Sequence, residues 1–229
     1  MEFREMELRE MEFKETKFKE KNVLVFGSGI SGVAASRLLL KKGARVVLYD
    51  GNASLDAGEL AKRVLGAGEA LGSSLGDAAG GQSGDDGRLA VLLGDLPEQV
   101  RSSLSLVVMS PGVPTDLPVV LQMKEEGIPI WGEVELAYAC SEGEVLAITG
   151  TNGKTTTTTL LGEIMKHAQR DTYVVGNIGN PYTEIALEMT EESVAVAEMS
   201  SFQLETIHDF HPRVSAVLNI TPDHLNRHH

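Results

Sequence analysis

The chain has 229 residues, 42% of them apolar, and a formal net charge of −13. That length fits one or two domains of about 100–200 residues each, with enough apolar matter for a packed core. The acidity excludes the basic face that nucleic acid or an anionic membrane demands, though not a small anion held by a few N–H groups and one Lys. Cys140 is the single cysteine, so an internal disulfide is excluded, in keeping with a reducing compartment. The N-terminus lacks the apolar stretch of a secretory signal, and no apolar run is long enough to span a bilayer. The expected location is the cytoplasm.

Residues 1–20 repeat a charged pentad (MEFRE, MELRE, MEFKE, TKFKE) whose period matches neither strand nor helix, and they read as a charged extension. An apolar run at 23–26 leads into Gly27-Ser28-Gly29-Ile30-Ser31-Gly32. Residues 33–40 carry helical spacing, Gly43 ends that helix, and 45–49 form a second strand closed by Asp50. This is a β-α-β unit. Residues 66–88, rich in Gly, Ala, Ser and Asp, read as a flexible surface insertion that does not pack. Strand signals return at 89–93 and 106–109, the latter broken by Ser110-Pro111-Gly112-Val113-Pro114, and 128–131 suggests another strand.

A second stretch begins near Glu144, after a domain boundary expected at 141–143. It reads as strand 145–148, helix 155–167, strand 173–175, helix 181–189, and strands 194–197 and 214–218. Strands alternating with helices imply parallel sheets covered on both faces. The expected class is therefore α/β throughout.

Ile148-Thr149-Gly150-Thr151-Asn152-Gly153-Lys154-Thr155 follows an apolar strand and opens a helix, the context a phosphate loop needs. Successive N–H groups point into such a turn, and the helix N-terminus adds roughly half a positive charge. Gly150 and Gly153 let the backbone approach phosphate oxygens without a clashing Cβ. Lys154 is placed to bridge the outer phosphates, and the Thr155 hydroxyl to face a magnesium ion. The general pattern wants Gly where Ile148 stands, so only the shorter G-x-x-G-K-T is present. The Thr run at 155–159 is a poor helix former, which suggests that something external, such as bound phosphate, stabilises this helix start. A Gly turn followed by a Thr-rich strand is the competing reading, and the helical continuation Leu160-Leu161-Gly162-Glu163-Ile164-Met165 disfavours it.

In open parallel sheets ligands bind beyond the carboxyl ends of the strands. Here those ends carry Gly176-Asn177-Ile178-Gly179, then Glu198-Met199-Ser200-Ser201-Phe202-Gln203, then Asn219-Ile220-Thr221-Pro222-Asp223-His224. Glu198 is a hard oxygen ligand suited to magnesium beside a nucleotide, and it shares a face with Ser200 if the strand continues. His224 would bind a metal or orient a substrate phosphate. Each residue alone has an ordinary reading: Asn177 as a turn former, Glu198 as a strand-end acid, His224 as a loop histidine. Their common position singles them out. His208, His211, His228 and His229 read as ordinary surface residues.

In the first stretch, Gly27-x-Gly29-x-x-Gly32 with Asp50 ending the next strand satisfies the dinucleotide fingerprint and alone predicts NAD. The same geometry holds any diphosphate, with Asp50 accepting from a ribose or base edge. Ser110-Pro111-Gly112 would complete the pocket.

Gly150-Thr151-Asn152-Gly153-Lys154-Thr155-Thr156, the Glu198–Glu205 segment EMSSFQLE and the 219–228 segment NITPDHLNRH together resemble the Mur ligases, which add amino acids to the peptidoglycan precursor. Within that family they are most similar to the members that join D-glutamate to UDP-N-acetylmuramoyl-L-alanine. The likeness covers roughly residues 20–229. It implies a Rossmann-like UDP-binding domain over 21–141, followed by an incomplete P-loop-type ATP-binding domain over 142–229. UDP rather than NAD would be held by Gly27, Ser28, Gly29, Ile30, Asp50, Ser110 and Gly112, with Asp50 near the uracil. Asn177, Ser200 and Gln203 would contact the muramoyl substrate. ATP would lie on residues 150–156 (Gly150, Thr151, Asn152, Gly153, Lys154, Thr155, Thr156). Thr155, Glu198 and His224 would bind magnesium, and Lys154, Glu198 and His224 would serve catalysis. The implied reaction runs through an acyl phosphate.

The family's central domain continues beyond the point matching His229, with a carbamylated lysine metal ligand, and a third domain follows. The chain is accordingly expected to be a truncated form, inactive in ligation alone and monomeric when full length. Two other functions remain open at this point: a nicotinamide-dependent oxidoreductase, which leaves the Lys154 loop unexplained, and a non-catalytic nucleotide-binding module.

Overall fold

The computed structural model describes residues 17–66, 82–84 and 87–228. Most of the pentad repeat (1–16) and most of the Gly-rich segment (67–81 and 85–86) lie outside the described residues. The chain divides into two compact units, one of Met1–Ser110 with Pro118–Ile130 and one of Pro111–Leu117 with Trp131–His229.

The first unit is built on β1 (Asn22–Phe26), α1 (Ile30–Lys41), β2 (Arg45–Asp50), α2 (Ala57–Leu65), β3 (Gln82–Gly84), β4 (Leu89–Leu93), α3 (Glu98–Arg101), β5 (Leu106–Met109), α4 (Pro118–Glu125) and the first residue of β6 (Ile130–Gly132). Its sheet has the order β3-β4-β2-β1-β5-β6. β1, β2, β4 and β5 run parallel, and β3 pairs antiparallel with β4. Val23, Leu24 and Val25 are fully buried, as a central parallel strand requires, each adding about 1.5–3 kcal/mol by burial. α1 packs on β1 and β2, and α2 on β4.

Two expectations are corrected here. Gln82–Gly84 was expected within a segment that does not pack, yet it pairs with Leu89–Val91. The end of the charged repeat is also part of the fold. Phe18 is buried, Glu20 N–H donates to the Gly43 carbonyl, and Arg45 N–H donates to the Lys21 carbonyl. The repeat's last apolar position thus serves as a core residue just ahead of β1. The helices over 57–65, 98–101 and 118–125 carried no signal that the sequence reading used.

The second unit contains α5 (Glu133–Cys140), β7 (Glu144–Thr149), α6 (Lys154–His167), β8 (Asp171–Gly176), α7 (Tyr182–Ile185), β9 (Ser193–Glu198), α8 (Ser201–Leu204), β10 (Val214–Val217) and α9 (Leu225–His228). Its sheet has the order β10-β7-β9-β8, parallel throughout. The helix expected over 181–189 is confined to α7. The observed division also falls upstream of the break expected at 141–143. The reason is α5: Glu133, Glu135 and Leu136 are buried, and α5 packs on α7, within the second unit.

The Thr run at 155–159 is helical despite its propensity. Thr158 and Gly162 form the buried face of α6 on the sheet, and a Cβ on Gly162 would come within 2.5 Å of Val174 Cγ2. Tertiary packing therefore overrides a weak local preference.

Candidate active site

Register explains why the polar strand ends of the second unit meet. Ile148 lies opposite Glu198, Glu198 opposite Gly176, and Thr149 opposite Val217. The four carboxyl ends therefore finish at one level, and the loops after them surround a cavity of about 450 Å³. Thr149, Gly150, Thr151, Lys154, Asn177, Ser200, Asn219 and His224 are among its lining residues, with Phe202 and Ile220 as an apolar side.

The phosphate loop is a tight turn from β7 into α6. Gly150 has φ +141 and Gly153, the N-cap, has φ +85, both in the region that side-chain-bearing residues avoid. Ile148, the departure from the general pattern, is buried within β7. The first N–H to bond back into the helix is Thr157, on the Gly153 carbonyl at 3.0 Å. The N–H groups of Lys154, Thr155 and Thr156 precede it and lack intrahelical acceptors, as at any helix start.

The loop departs from expectation in two respects. Thr151 N–H donates to the Asn219 carbonyl at 3.1 Å, and Asn152 N–H to Asn219 Oδ1 at 2.8 Å. Those two amides are satisfied by the protein rather than presented to an anion. Asn219 Nδ2 returns a bond to the Asn152 carbonyl at 2.8 Å. Asn219 is thus a clamp on the loop that sequence reasoning did not single out, although its place just after β10 was visible. Lys154 Nζ folds back onto the carbonyls of Gly150 at 2.6 Å and Thr151 at 2.9 Å.

Glu198 is 1% exposed at the end of β9. Its Oε2 accepts from Thr155 Oγ1 at 2.9 Å and its Oε1 from Asn177 Nδ2 at 2.8 Å. A hydroxyl beside a buried carboxylate suits magnesium, which takes one or two protein oxygens and keeps its other positions for water and phosphate. Among the described residues, no group of three or more His, Cys, Asp and Glu side chains converges on a metal position. His224, expected as a third ligand, lines the cavity with its ring 4.9 Å from that of Phe202 and a positive φ of 48.

Ser200 and Gln203 satisfy one another as the capping box of α8: Ser200 N–H and Oγ donate to Gln203 Oε1 at 2.9 Å each. Arg227 was not singled out either. It donates to the carbonyls of Pro111 and Val113 and to Glu205, and it lies 4.2 Å over the Phe202 ring. Gly112, expected to complete the first pocket, belongs to this held segment of the second unit.

In the first unit the Gly-rich turn lies where the strand order reverses, beyond β1 and β5. Gly32 is obligatory, since its Cβ would stand 1.8 Å from the Gly27 carbonyl oxygen. Ser110 Oγ donates to that same carbonyl at 3.1 Å. Asp50 Oδ2 accepts from Ser28 N–H at 3.0 Å and Ser28 Oγ at 2.6 Å, and Oδ1 from Asn52 N–H at 3.0 Å. Around Gly29 there is open space, and Ile30 is exposed.

Burial alone would raise the Asp50 carboxyl. The hydrogen bonds from Ser28 and Asn52 outweigh it and hold the group below its ordinary value. A lowered carboxyl stabilises the fold above its unfolded pKa of about 3.9 and loses that contribution as pH falls through the folded value. Asp50→Asn is therefore expected to melt below the parent chain at neutral pH, by under about 1 kcal/mol because the group is partly solvated. The gap should close below about pH 4, and a gap independent of pH in paired melting curves would contradict this.

Residues 148–229 match the Mur ligase middle domain family. A UDP-N-acetylmuramoylalanine–D-glutamate ligase from Lachnospira eligens is 52% identical over 209 residues, covering 91% of this chain and 42% of the relative. The enzyme of that name from Clostridioides difficile is 60% identical over 139 residues, covering 60% of this chain and 31% of the relative.

The chain belongs to the Mur ligase family.

It spans about 42% of the length of the relatives it matches over most of its own. The fold agrees with a murein peptide ligase from Psychrobacter arcticus (TM-score 0.50, 18% identity, 90% of this chain and 44% of that one). It also agrees with the UDP-N-acetylmuramate:L-alanyl-gamma-D-glutamyl-meso-diaminopimelate ligase from Neisseria meningitides (TM-score 0.50, 15% identity, 91% and 63%). These likenesses show the fold of this Mur ligase chain. No helix among the described residues is long and apolar enough to cross a membrane.

Proposed function

We propose that this chain carries the nucleotide- and substrate-holding part of an ATP-dependent ligase that joins D-glutamate to UDP-N-acetylmuramoyl-L-alanine in the cytoplasm. The observation that carries the reading is the phosphate loop opening onto a cavity with Lys154, next to a Thr155–Glu198 pair. The free N–H groups of Lys154, Thr155 and Thr156 would hold ATP phosphates, with Lys154 leaving its two carbonyls to bridge the outer ones. The Gly27–Gly32 turn and Asp50 would hold UDP in the first unit. Asn177, Ser200 and Gln203 would face the muramoyl group. Lining the cavity supports this for Asn177 and Ser200, whereas Gln203 would act through Ser200.

In the reaction, an oxygen of the L-alanyl carboxylate attacks the γ-phosphorus as its bond to ADP breaks. The D-glutamate amine then attacks the acyl carbon, the C–N bond forms, phosphate leaves, and the amine gives up a proton. Two anions must approach in the first step, so charge neutralisation is the main demand on the protein. Magnesium, held by Thr155 and Glu198 with His224 beside them, would supply much of that neutralisation when bound.

Calorimetric titration of the chain with UDP-N-acetylmuramoyl-L-alanine, with ADP plus magnesium, and with NAD tests the reading. The first two should bind and NAD should not. NAD binding without binding of the UDP-sugar would overturn it.

A further inference from the structure

Asn177 has a bond that a substrate contact does not account for. Its amide is turned onto the buried Glu198 carboxylate, donating to Oε1 at 2.8 Å, while Thr155 Oγ1 takes Oε2 at 2.9 Å. Its backbone is tied to the same residue, with Asn177 N–H on the Glu198 carbonyl at 2.9 Å. The approach needs glycine before it: Gly176 has φ +102, and a Cβ there would come within 2.3 Å of the Glu198 carbonyl oxygen. Gly176 N–H, bonded to the Asn180 carbonyl at 3.1 Å, closes the turn. The main chain thus sets where Asn177 stands, and the side chain sets how the carboxylate is turned.

We propose that Asn177 is a positioning residue for the divalent-cation seat, holding the Glu198 carboxylate in the plane that serves Thr155 and the ion together. The inference rests on the ligase reading of this site. A carboxylate has about four lone-pair positions. One donor on each oxygen fixes its plane and leaves the others for a cation or its water. Because the Thr155 proton is spent on Oε2, that hydroxyl offers its lone pairs outward, toward the phosphate loop. Without the Asn177 amide, the carboxylate is held from one side only and is free to rotate away from the seat. Outer-shell partners of this kind typically account for about 10–100-fold in metal affinity.

The test is fluorescence titration with mant-ADP, with magnesium and with EDTA, on the parent chain, Asn177→Leu and Asn177→Ser. Leu keeps the shape and removes the donor; Ser keeps a hydroxyl too short to reach Oε1 and serves if Leu does not fold. Manganese binding followed by electron paramagnetic resonance gives a readout independent of nucleotide. The expected result is a loss of about 10–100-fold in manganese affinity and in the magnesium-dependent part of mant-ADP binding. Affinity in EDTA should stay within about twofold, since the amide donors of the phosphate loop are untouched. A folded variant that keeps the magnesium increment overturns the proposal and leaves the ligase reading standing. A variant that loses affinity equally with and without magnesium shows a merely structural role and also overturns it. A parent chain that binds mant-ADP with no magnesium increment removes the cation seat, and the site reading fails with it.

Discussion

Replacing Lys154 by Met is expected to weaken binding of ADP plus magnesium about 10–100-fold while leaving the melting temperature nearly unchanged. The ammonium rests on the carbonyls of Gly150 and Thr151. Those carbonyls belong to part-exposed residues that water reaches, so removing the charge leaves little unsatisfied in the resting state. The phosphates have no such substitute. A hydrogen bond to a charged group contributes about 1.5–3 kcal/mol, which sets the expected factor. Lys154→Arg should fall between the two. Its charge is kept, but its planar fork does not reproduce the compact ammonium that fits between two loop carbonyls. Calorimetry on the three proteins decides the matter. Affinity of the Met variant within twofold of the parent would mean that Lys154 is a loop staple and not a phosphate ligand.

The second large effect concerns stability. Glu135→Ala should cost the second unit about 3–5 kcal/mol, a large share of the roughly 5–15 kcal/mol that holds a domain folded. Glu135 is 1% exposed, and its two oxygens accept from three consecutive amides: His208 at 2.7 Å, Asp209 at 2.9 Å and Phe210 at 3.1 Å. Removing the carboxylate takes the acceptor from all three donors, of which the Phe210 N–H is buried, and an unsatisfied buried donor costs about 1–3 kcal/mol. The damage would spread to the site, because the 208–210 turn leads into β10, which delivers Asn219 to the phosphate loop. Trp131, the single tryptophan, belongs to this unit and gives the signal for a urea titration. Glu135→Gln keeps one carbonyl oxygen and should lose less. A midpoint shift for Glu135→Ala worth under about 1 kcal/mol would refute the account.

Its neighbour on the same helix works in the same way under a different burden. Glu133 is fully enclosed, and burial raises its carboxyl even though the N–H and Oγ1–H of Thr183 hydrogen-bond to it. Thr183 lies in α7, the helix that follows the turn carrying Asn177. Neither acid attracted notice in the sequence. Two acids in the first turn of a short helix ordinarily read as solvated residues near its N-terminus, and only Thr183 and the amides of residues 208–210, far away in the chain, give these two their partners.

The glycine turns, the strand ends and the alternation of strand with helix were legible because each depends on residues within a few positions of one another. A Gly-Lys-Thr after an apolar strand defines a phosphate loop locally, and Gly32 is dictated by the carbonyl of Gly27 in the same turn. The Gly-rich first turn was legible as a diphosphate seat for the same reason. What no local pattern carried was the set of partners: Asn219 occupying two loop amides, Lys154 turned back, Asn177 and Thr155 sharing Glu198, and the division of the chain upstream of α5. Lys154 finds its carbonyls within its own loop, but the partners of Asn219 and Glu198 lie far away in the chain. Those distant pairings follow from the register of parallel strands, which packing of the whole sheet determines and which brings residues 148, 176 and 198 to one level.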